Sequence, residues 1–401
     1  MVRRDIAEAH RAATPLELLV DLVFVVAIAQ VTDQVAELIE AGEILHGLVT
    51  FAMVFFAIWW AWMSFTWFAS AYDSDDGPYR LLVMVQMAGV LVVAAGVDSA
   101  VHDADLTVIT LGYVVMRAAL VAQWLRAAAG DPGGRTTAHR YAGGIAAVQV
   151  GWLLRLLLPA SLAVPSFAVL AAVELLVPYL AERARRTGWH PHHIAERYGL
   201  FTLILLGESI LAAVTAVRLG IGQHGFSWPL GVVALSGLVI VFALWWLYFL
   251  DPMGHALEAR RQLAFRWGYG HVGVFAALAL LGAGLEMAVV AAAAAGGETP
   301  AAEAAVHIDP VLVGYALAGP IALYLVMVWV LITQARGAWR HGPMVAAGAL
   351  TVLASPWAAR FGGVTAVCVT VAAVTAALAA AVVRDRHRHA DEHPALAGDD
   401  G

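Results

Sequence analysis

The chain has 401 residues, of which 61% are apolar and only 13% are charged, with a net charge of −7. Soluble domains carry about 25% charged residues, so this composition excludes an ordinary soluble protein, and the high hydrophobicity excludes a disordered chain. The mean hydropathy of +0.78 instead predicts an integral membrane protein.

Long apolar runs occur along the whole chain, and a spanning helix needs about 20 mostly apolar residues. Twelve runs approach that length, so we predict an all-α integral membrane protein with about 12 transmembrane helices. The runs cover residues 16–36, 47–68, 81–98, 106–125, 141–159, 164–180, 198–217, 228–250, 267–290, 311–332, 343–357 and 363–383. The connections between them are short and leave no room for a soluble domain.

The arginines predict the orientation in the membrane. All 23 basic residues are arginines, and 19 of them, Arg197 among these, fall on one side if the N-terminus is cytoplasmic. Cytoplasmic loops carry the excess of basic residues in membrane proteins. We therefore predict a multi-pass protein of the inner (plasma) membrane with both termini in the cytoplasm. The loops on the opposite side carry acids instead of arginines, Glu37, Glu40 and Glu43 among them, so the net charge does not by itself indicate a binding partner.

Two pairs of residues recur at one offset. Trp59–Trp60 recurs as Trp245–Trp246, and Tyr79–Arg80 recurs as Phe265–Arg266, both 186 residues further on. Repeats of six helices have the same orientation, as the parallel repeats of several transporters do. We therefore predict two parallel six-helix repeats. The predicted segments are a cytoplasmic N-terminal segment 1–15, repeats 16–180 and 198–383, a cytoplasmic linker 181–197 and a cytoplasmic tail 384–401.

Two motifs stand at the starts of these halves. Residues 16–28 read LELLVDLVFVVAI, and residues 195–202 read AERYGLFT, followed by LGES at 206–209. Both motifs resemble signatures of the bacterial low temperature requirement protein A (LtrA) family, and the resemblance extends from Thr14 to about Arg384. The family often has aromatic residues between the acids of its first span, where this chain has Leu18–Val20. The resemblance implies a polytopic inner-membrane protein linked by name to low-temperature growth, without a settled substrate.

Four charged residues lie near the middle of predicted spans: Arg117, Arg155, Glu174 and Glu208. Charged groups inside a membrane are costly and need a partner or a function. They are consistent with a buried ionic network that holds helices together. The interpretation that we favour is a substrate or proton site between the repeats, in which Glu208 is the exchangeable acid, because ionisable groups inside a membrane are generally functional.

The first span carries two more acids, Glu17 and Asp21, which are four residues apart and so share one helix face. We predict that Glu17 forms a structural ion pair with Arg80, and that Glu196 forms the corresponding pair with Arg266. Asp21 has no counterpart in the second half, which makes it the first-half acid most suited to a functional role.

The histidines His190, His192 and His193 lie close together, but their spacing matches no defined metal site. We expect them to be solvated loop residues, and we predict no metal and no cofactor. The sequence contains no phosphate-binding loop, no nucleophile motif and no nucleic-acid patch beyond the basic cytoplasmic rim. These observations argue against an enzyme and against a nucleic-acid partner.

The sequence favours a transporter of a small solute or ion, with proton coupling as one option. Its predicted pathway consists of Asp21, Arg117, Arg155, Glu174 and Glu208, and its partners are the lipid bilayer and the transported solute. Two alternatives stay open. One is an ion channel with two six-helix repeats, by analogy with endolysosomal potassium channels, whose Phe-Ser-Asp triplet is lacking here. The other is a membrane-embedded, lipid-acting enzyme or assembly factor. The oligomeric state is open, a homo-oligomer included.

Overall fold

The structure is a computed structural model that describes residues 1, 3–4, 8, 11–251, 253–296, 309–336 and 341–392. All regular structure in these residues is helical. Parts of the predicted segments 1–15 and 384–401, and much of the connection 291–310, lie outside the described residues. By its contacts the chain divides into two compact units, Met1–Phe201 and Thr202–Gly401.

The first unit contains seven α-helices and the start of an eighth. They are α1 (Pro15–Glu40), α2 (Ile44–Tyr72), α3 (Gly77–Ala95), α4 (Val97–His102), α5 (Thr107–Gly130), α6 (Arg135–Arg155), α7 (Ala163–Glu182) and α8 (Pro191–His224). Helix α1 packs on α2 and α3, and α5 packs on α3 and α6, which in turn packs on α7. This order places polar side chains of α5, α6 and α7 side by side.

The second unit continues from α8. Its further helices are α9 (Trp228–Phe249), α10 (Met253–Ala259), α11 (Ala264–Gly296), α12 (Pro310–Arg336), α13 (Gly342–Ala354) and α14 (Ala359–Glu392). Helix α11 packs on α12, and α14 packs on α9. Helix α14 is kinked near its start, where Gly363 has a φ of 61°, a left-handed conformation that favours glycine.

Ten helical stretches of the described residues are long and apolar enough to cross a membrane, compared with the twelve spans predicted. The predicted span 141–159 falls on α6, which is not one of the ten because polar residues such as Arg140 and Gln149 interrupt its apolar sequence. The predicted spans 343–357 and 363–383 lie within one apolar stretch, Gly342–Arg386. A multi-pass all-α membrane protein is therefore supported, and the count of twelve stays a prediction.

The recurring aromatic pairs occupy different environments. Trp59 and Trp60 are each 2% exposed, whereas Trp245 and Trp246 are 43% and 50% exposed. The similarity in sequence therefore does not extend to burial, and the two-repeat layout remains a prediction.

A glycine contact fixes the approach of α3 to α5. A Cβ atom on Gly89 would lie 2.8 Å from the carbonyl oxygen of Gly112, and one on Gly112 would lie 2.7 Å from the carbonyl oxygen of Gly89. Small residues let membrane helices approach closely in this way. The contact holds α5, and with it Arg117, against the rest of the first unit.

Candidate functional site

The first unit buries two acids and two bases in one group. Glu17 and Asp21 lie on α1, and His193 and Arg197 lie on α8. Each side chain is at most 1% exposed. Both pairs are four residues apart, so one turn of α1 presents two acids to one turn of α8 that presents two bases. We call these four residues the acid–base cluster.

Glu17 is held from several sides. Its side chain accepts a hydrogen bond of 2.8 Å from the backbone N–H of Thr14, which in turn caps the first turn of α1. This reciprocal capping box fixes the position of the carboxylate at the start of the helix. Nε2 of His193 lies 3.1 Å from Oε1 of Glu17, and a guanidinium nitrogen of Arg197 lies 3.3 Å from the same oxygen.

Asp21 has a different environment. Its Oδ1 accepts hydrogen bonds from Nε1 of Trp62, at 2.7 Å, and from the guanidinium of Arg197, at 2.5 Å. Its Oδ2 is buried and has no hydrogen-bond partner among the described residues. One carboxylate oxygen of Asp21 is thus bound tightly while the other lacks a donor.

Aromatic side chains surround the acid–base cluster. The indole of Trp62 stacks on Phe201 at a ring distance of 4.3 Å and meets Tyr198 edge-on at 5.0 Å. The ring of Phe65 lies 6.0 Å from the guanidinium carbon of Arg197. These rings exclude bulk water, so the electrostatic interactions inside the cluster are stronger than they would be at a surface.

The charges of the acid–base cluster do not balance by themselves. Two carboxylates face one guanidinium, which leaves one negative charge when the imidazole of His193 is neutral. Binding one proton makes the group neutral, and a neutral group is far cheaper to bury than a charged one. The guanidinium of Arg197 contacts both carboxylates, where a metal ion would otherwise bridge them. The arrangement therefore suits the binding of a proton.

A second group of charges lies beside the cluster, outside the apolar helices. Arg11 is 5% exposed and donates hydrogen bonds to the carbonyl oxygens of Ala69, at 2.6 Å, and Ser70. It satisfies carbonyl groups at the end of α2 and lies 3.9 Å from Asp73. Burial lowers the pKa of Arg11, and burial together with the nearby charge of Glu17 raises the pKa of Asp73.

Glu174 forms the centre of another buried group, which we call the Glu174 cluster. Its Oε2 accepts hydrogen bonds from the hydroxyl of Tyr113, at 2.8 Å, and from the guanidinium of Arg117, at 2.9 Å. Its Oε1 accepts from the amide of Gln149, at 3.0 Å, and from the indole of Trp152, at 3.1 Å. The side chains of Glu174 and Arg117 are 1% and 3% exposed.

The Glu174 cluster therefore has the character of a structural pair. Four donors occupy the two carboxylate oxygens, and the charge of Glu174 is balanced by Arg117. This direct pairing favours the ionic-network interpretation of these two residues over the transport-site interpretation. The predicted pathway is not brought together as one site in the first unit, because Asp21 belongs to the acid–base cluster instead.

The other two predicted pathway residues are Arg155 and Glu208. Arg155 ends α6, is 7% exposed and donates a 2.8 Å hydrogen bond to the carbonyl oxygen of Ala163. Glu208 lies in the second unit, on α8, and is partly exposed. Its role as an exchangeable acid stays a prediction.

The predicted pairing of Glu17 with Arg80 is wrong. Arg80 is exposed and forms an ion pair of 2.7 Å with Asp75, a near neighbour in the chain. Glu17 takes its partners from α8 because the buried carboxylate finds two bases there. Glu196 and Arg266 are both exposed and belong to different units, so their pairing stays a prediction.

Neither base of the acid–base cluster is among the site residues predicted from the sequence. His193 was expected to be a solvated loop residue and Arg197 a residue of the cytoplasmic rim, yet both are fully buried. His190, at 6% exposure, is also buried, so that expectation was wrong for two of the three histidines. The signal was the matching spacing of four residues in opposite charges, Glu17 with Asp21 and His193 with Arg197.

Comparisons with known proteins agree with the motifs that carry these residues. The family model described as Bacterial low temperature requirement A protein (LtrA) matches residues 12–383. "Uncharacterized protein RA0937" of Rhizobium meliloti (strain 1021) is 27% identical over 288 residues, covering 68% of each chain. No solved structure matches the chain. Because the family model covers most of the sequence, the chain belongs to the bacterial low temperature requirement A protein (LtrA) family.

Proposed function

We propose that this LtrA-family membrane protein is a proton-coupled transporter of a small solute or ion, and that Asp21 carries the proton. The observation that supports this proposal is the buried Oδ2 atom of Asp21, which has no hydrogen-bond partner among the described residues. Intramembrane ionisable groups generally mark ion pathways and proton relays. The proposed orientation, with cytoplasmic termini, follows the arginine distribution and puts the acid–base cluster near the cytoplasmic ends of α1 and α8.

Asp21 suits this role better than Glu17 does. Glu17 belongs to the capping box of α1 and lies within 3.3 Å of both His193 and Arg197. Protonating its Oε1 would weaken both ion-pair contacts, because the two bases approach that same oxygen. Asp21 can bind a proton on Oδ2 while Oδ1 keeps its hydrogen bond from Trp62.

Proton binding would change the contact between α1 and α8. The guanidinium of Arg197 is shared between Glu17 and Asp21. When Asp21 is neutral its attraction for Arg197 falls, and the guanidinium is left to Glu17. A ligand can shift a conformational equilibrium only through its differential affinity for the two states. Here the proton is that ligand, and the guanidinium of Arg197 is the group whose position changes.

The experiment is a proton-flux measurement on purified protein in liposomes that enclose the pH dye pyranine. Potassium chloride, sodium chloride, or a mixture of amino acids and sugars is added outside, and the internal pH is followed. We expect one of these additions to move protons through the wild type, and Asp21→Asn to abolish the movement. Asp75→Asn is the matched control, because Asp75 is exposed and asparagine tolerates its positive φ of 45°.

Two further measurements test the proposal and distinguish a carrier from a channel. If Asp21→Asn restores low-temperature growth of a strain lacking the gene as well as the wild type does, Asp21 is not the proton carrier. Discrete single-channel currents in a planar bilayer would show a channel in place of a carrier.

A further inference from the structure

Arg155 is a buried charge without a counter-charge. It is 7% exposed, and within the part of the chain that the structure describes it forms no ion pair. One guanidinium nitrogen donates to the carbonyl oxygen of Ala163, at 2.8 Å, while its Nε is buried without a hydrogen-bond partner. A buried cation is stable only when it is paired or fully hydrogen-bonded. Arg155 therefore lacks a counter-charge and a hydrogen-bond acceptor for Nε.

The side chain of Arg155 lines a cavity of about 30 Å³ in the first unit. The other lining residues come from α2, α5, α6 and α7 and from Leu106, just before α5. Most are apolar or aromatic, and Trp152 and Phe167 are among them. The ring of Phe167 lies 5.7 Å from the guanidinium carbon of Arg155. Thr110 adds a hydroxyl group, so the cavity offers a cation and a hydrogen-bond donor within apolar walls.

The buried acid Glu174 already has its own partners. Glu174 accepts four hydrogen bonds and pairs with Arg117, so it is not available to neutralise Arg155. Two of its donors, Tyr113 and Trp152, also line the cavity. No acid among the described residues pairs with the cation in the cavity, which leaves the counter-charge to a bound ligand.

We infer that this cavity binds one small monovalent anionic group through Arg155. The volume is larger than the roughly 10–15 Å³ that a single water molecule needs on the same measure, so the cavity admits a halide ion or one oxygen of a phosphate group. The group has two possible sources: a halide ion from solution, or the phosphate of an anionic lipid. Exposed leucines follow Arg155 directly, with Leu157 81% exposed and Leu158 44% exposed, so lipid would lie next to the cavity.

An anion in the cavity would strengthen the first unit as well as neutralise Arg155. Tyr113 and Trp152 would contact the anion on one side and Glu174 on the other. Binding to the folded state only raises stability by mass action. This site is independent of the proposed proton site, which lies on α1 and α8, so either can fail without the other.

The test measures thermal unfolding of the full-length protein in micelles of the uncharged, phosphate-free detergent dodecyl maltoside. Sodium bromide replaces sodium gluconate at constant ionic strength, because gluconate is too large for the cavity. In a second arm, phosphatidylglycerol is added to the micelles while gluconate is kept. We expect bromide or phosphatidylglycerol to raise the Tm of the wild type, and the arm that does so identifies the source of the anion.

The variants separate this site from general salt or lipid effects. Arg155→Gln should lose the rise in Tm, whereas Arg140→Gln, on the exposed side of the same helix, should keep it. If Arg155→Gln does not fold, Thr110→Val keeps the cation but removes the hydroxyl, and it should need several-fold more anion for the same rise. The inference is overturned if neither bromide nor phosphatidylglycerol raises the wild-type Tm. It is also overturned if Arg155→Gln, or Thr110→Val in its place, responds as the wild type does.

Discussion

Replacing Arg197 with glutamine removes the guanidinium that contacts both Glu17 and Asp21. Breaking a buried ion pair by removing one partner typically costs about 3–5 kcal/mol, because the other charge stays buried without compensation. The glutamine amide can restore one hydrogen bond, which offsets about 1 kcal/mol. We therefore expect Arg197→Gln to lower the free energy of unfolding by about 3 kcal/mol.

The assay is reversible unfolding of the purified protein in mixed micelles with increasing SDS, followed by circular dichroism. Arg80→Gln is the control, because Arg80 and Asp75 form an exposed ion pair, and it should leave the unfolding midpoint nearly unchanged. The double variant Asp21→Asn/Arg197→Gln should recover part of the loss, since it removes one of the two uncompensated charges. A coupling between the two sites of about 1–3 kcal/mol is expected for residues in direct contact.

A small effect would refute this reasoning. If Arg197→Gln lowers the free energy of unfolding by less than about 1 kcal/mol, a value typical of exposed ion pairs, the acid–base cluster is not the buried ionic group described above. The same holds if the double-variant cycle shows no coupling between Asp21 and Arg197.

Three further predictions concern other parts of the chain. Tyr113→Phe removes one donor from Glu174 and should cost about 1–2 kcal/mol in the same unfolding assay; no loss would mean that the carboxylate does not need all four donors. Burial raises the pKa of Asp73 in the folded protein above its ordinary value of 3.8. The carboxyl group therefore ionises at a lower pH in the unfolded chain, and the free energy of unfolding falls as the pH rises from 3.8 to the pKa of the folded state. Asp73→Asn should flatten that part of the stability profile, and an unchanged slope would exclude Asp73 as its source. Gly363→Ala should lower the free energy of unfolding by about 1–3 kcal/mol because of the positive φ of Gly363. Gly207→Ala is the control, because Gly207 lies in a helix with space for a Cβ atom, and it should not lower the free energy of unfolding. Equal effects at the two glycines would contradict the kink in α14.

The sequence predicted the class of protein and one half of the acid–base cluster. Apolar runs identify membrane helices because the bilayer sets their length and composition. Asp21 can be predicted as a functional acid, because an acid in a span is costly and Asp21 has no counterpart in the second half. Its partners were not found, because an arginine near a helix start has the same sequence pattern whether it is exposed or buried.

The sequence also does not show which polar residues of α6 have buried partners, and this explains the outcome for the predicted span 141–159. A helix inside a bundle can carry Gln149 and Trp152 toward a buried carboxylate, and those polar residues lower its hydropathy below that of a lipid-facing span. Hydropathy measures composition, whereas the partner of a polar side chain depends on how separate helices pack. The Glu17–Arg80 prediction failed for this reason, since matching positions in two halves of a sequence do not show which helix faces which.

Infrared difference spectroscopy can establish whether Asp21 binds a proton. The C=O band of a protonated carboxyl group is recorded while the pH is lowered, for the wild type, Asp21→Asn and the exposed-site control Asp75→Asn. If Asp21 is the proton carrier, the wild type and Asp75→Asn share a titrating carboxyl band that Asp21→Asn lacks. An identical titration in the wild type and Asp21→Asn would contradict the proposal that Asp21 takes up the proton.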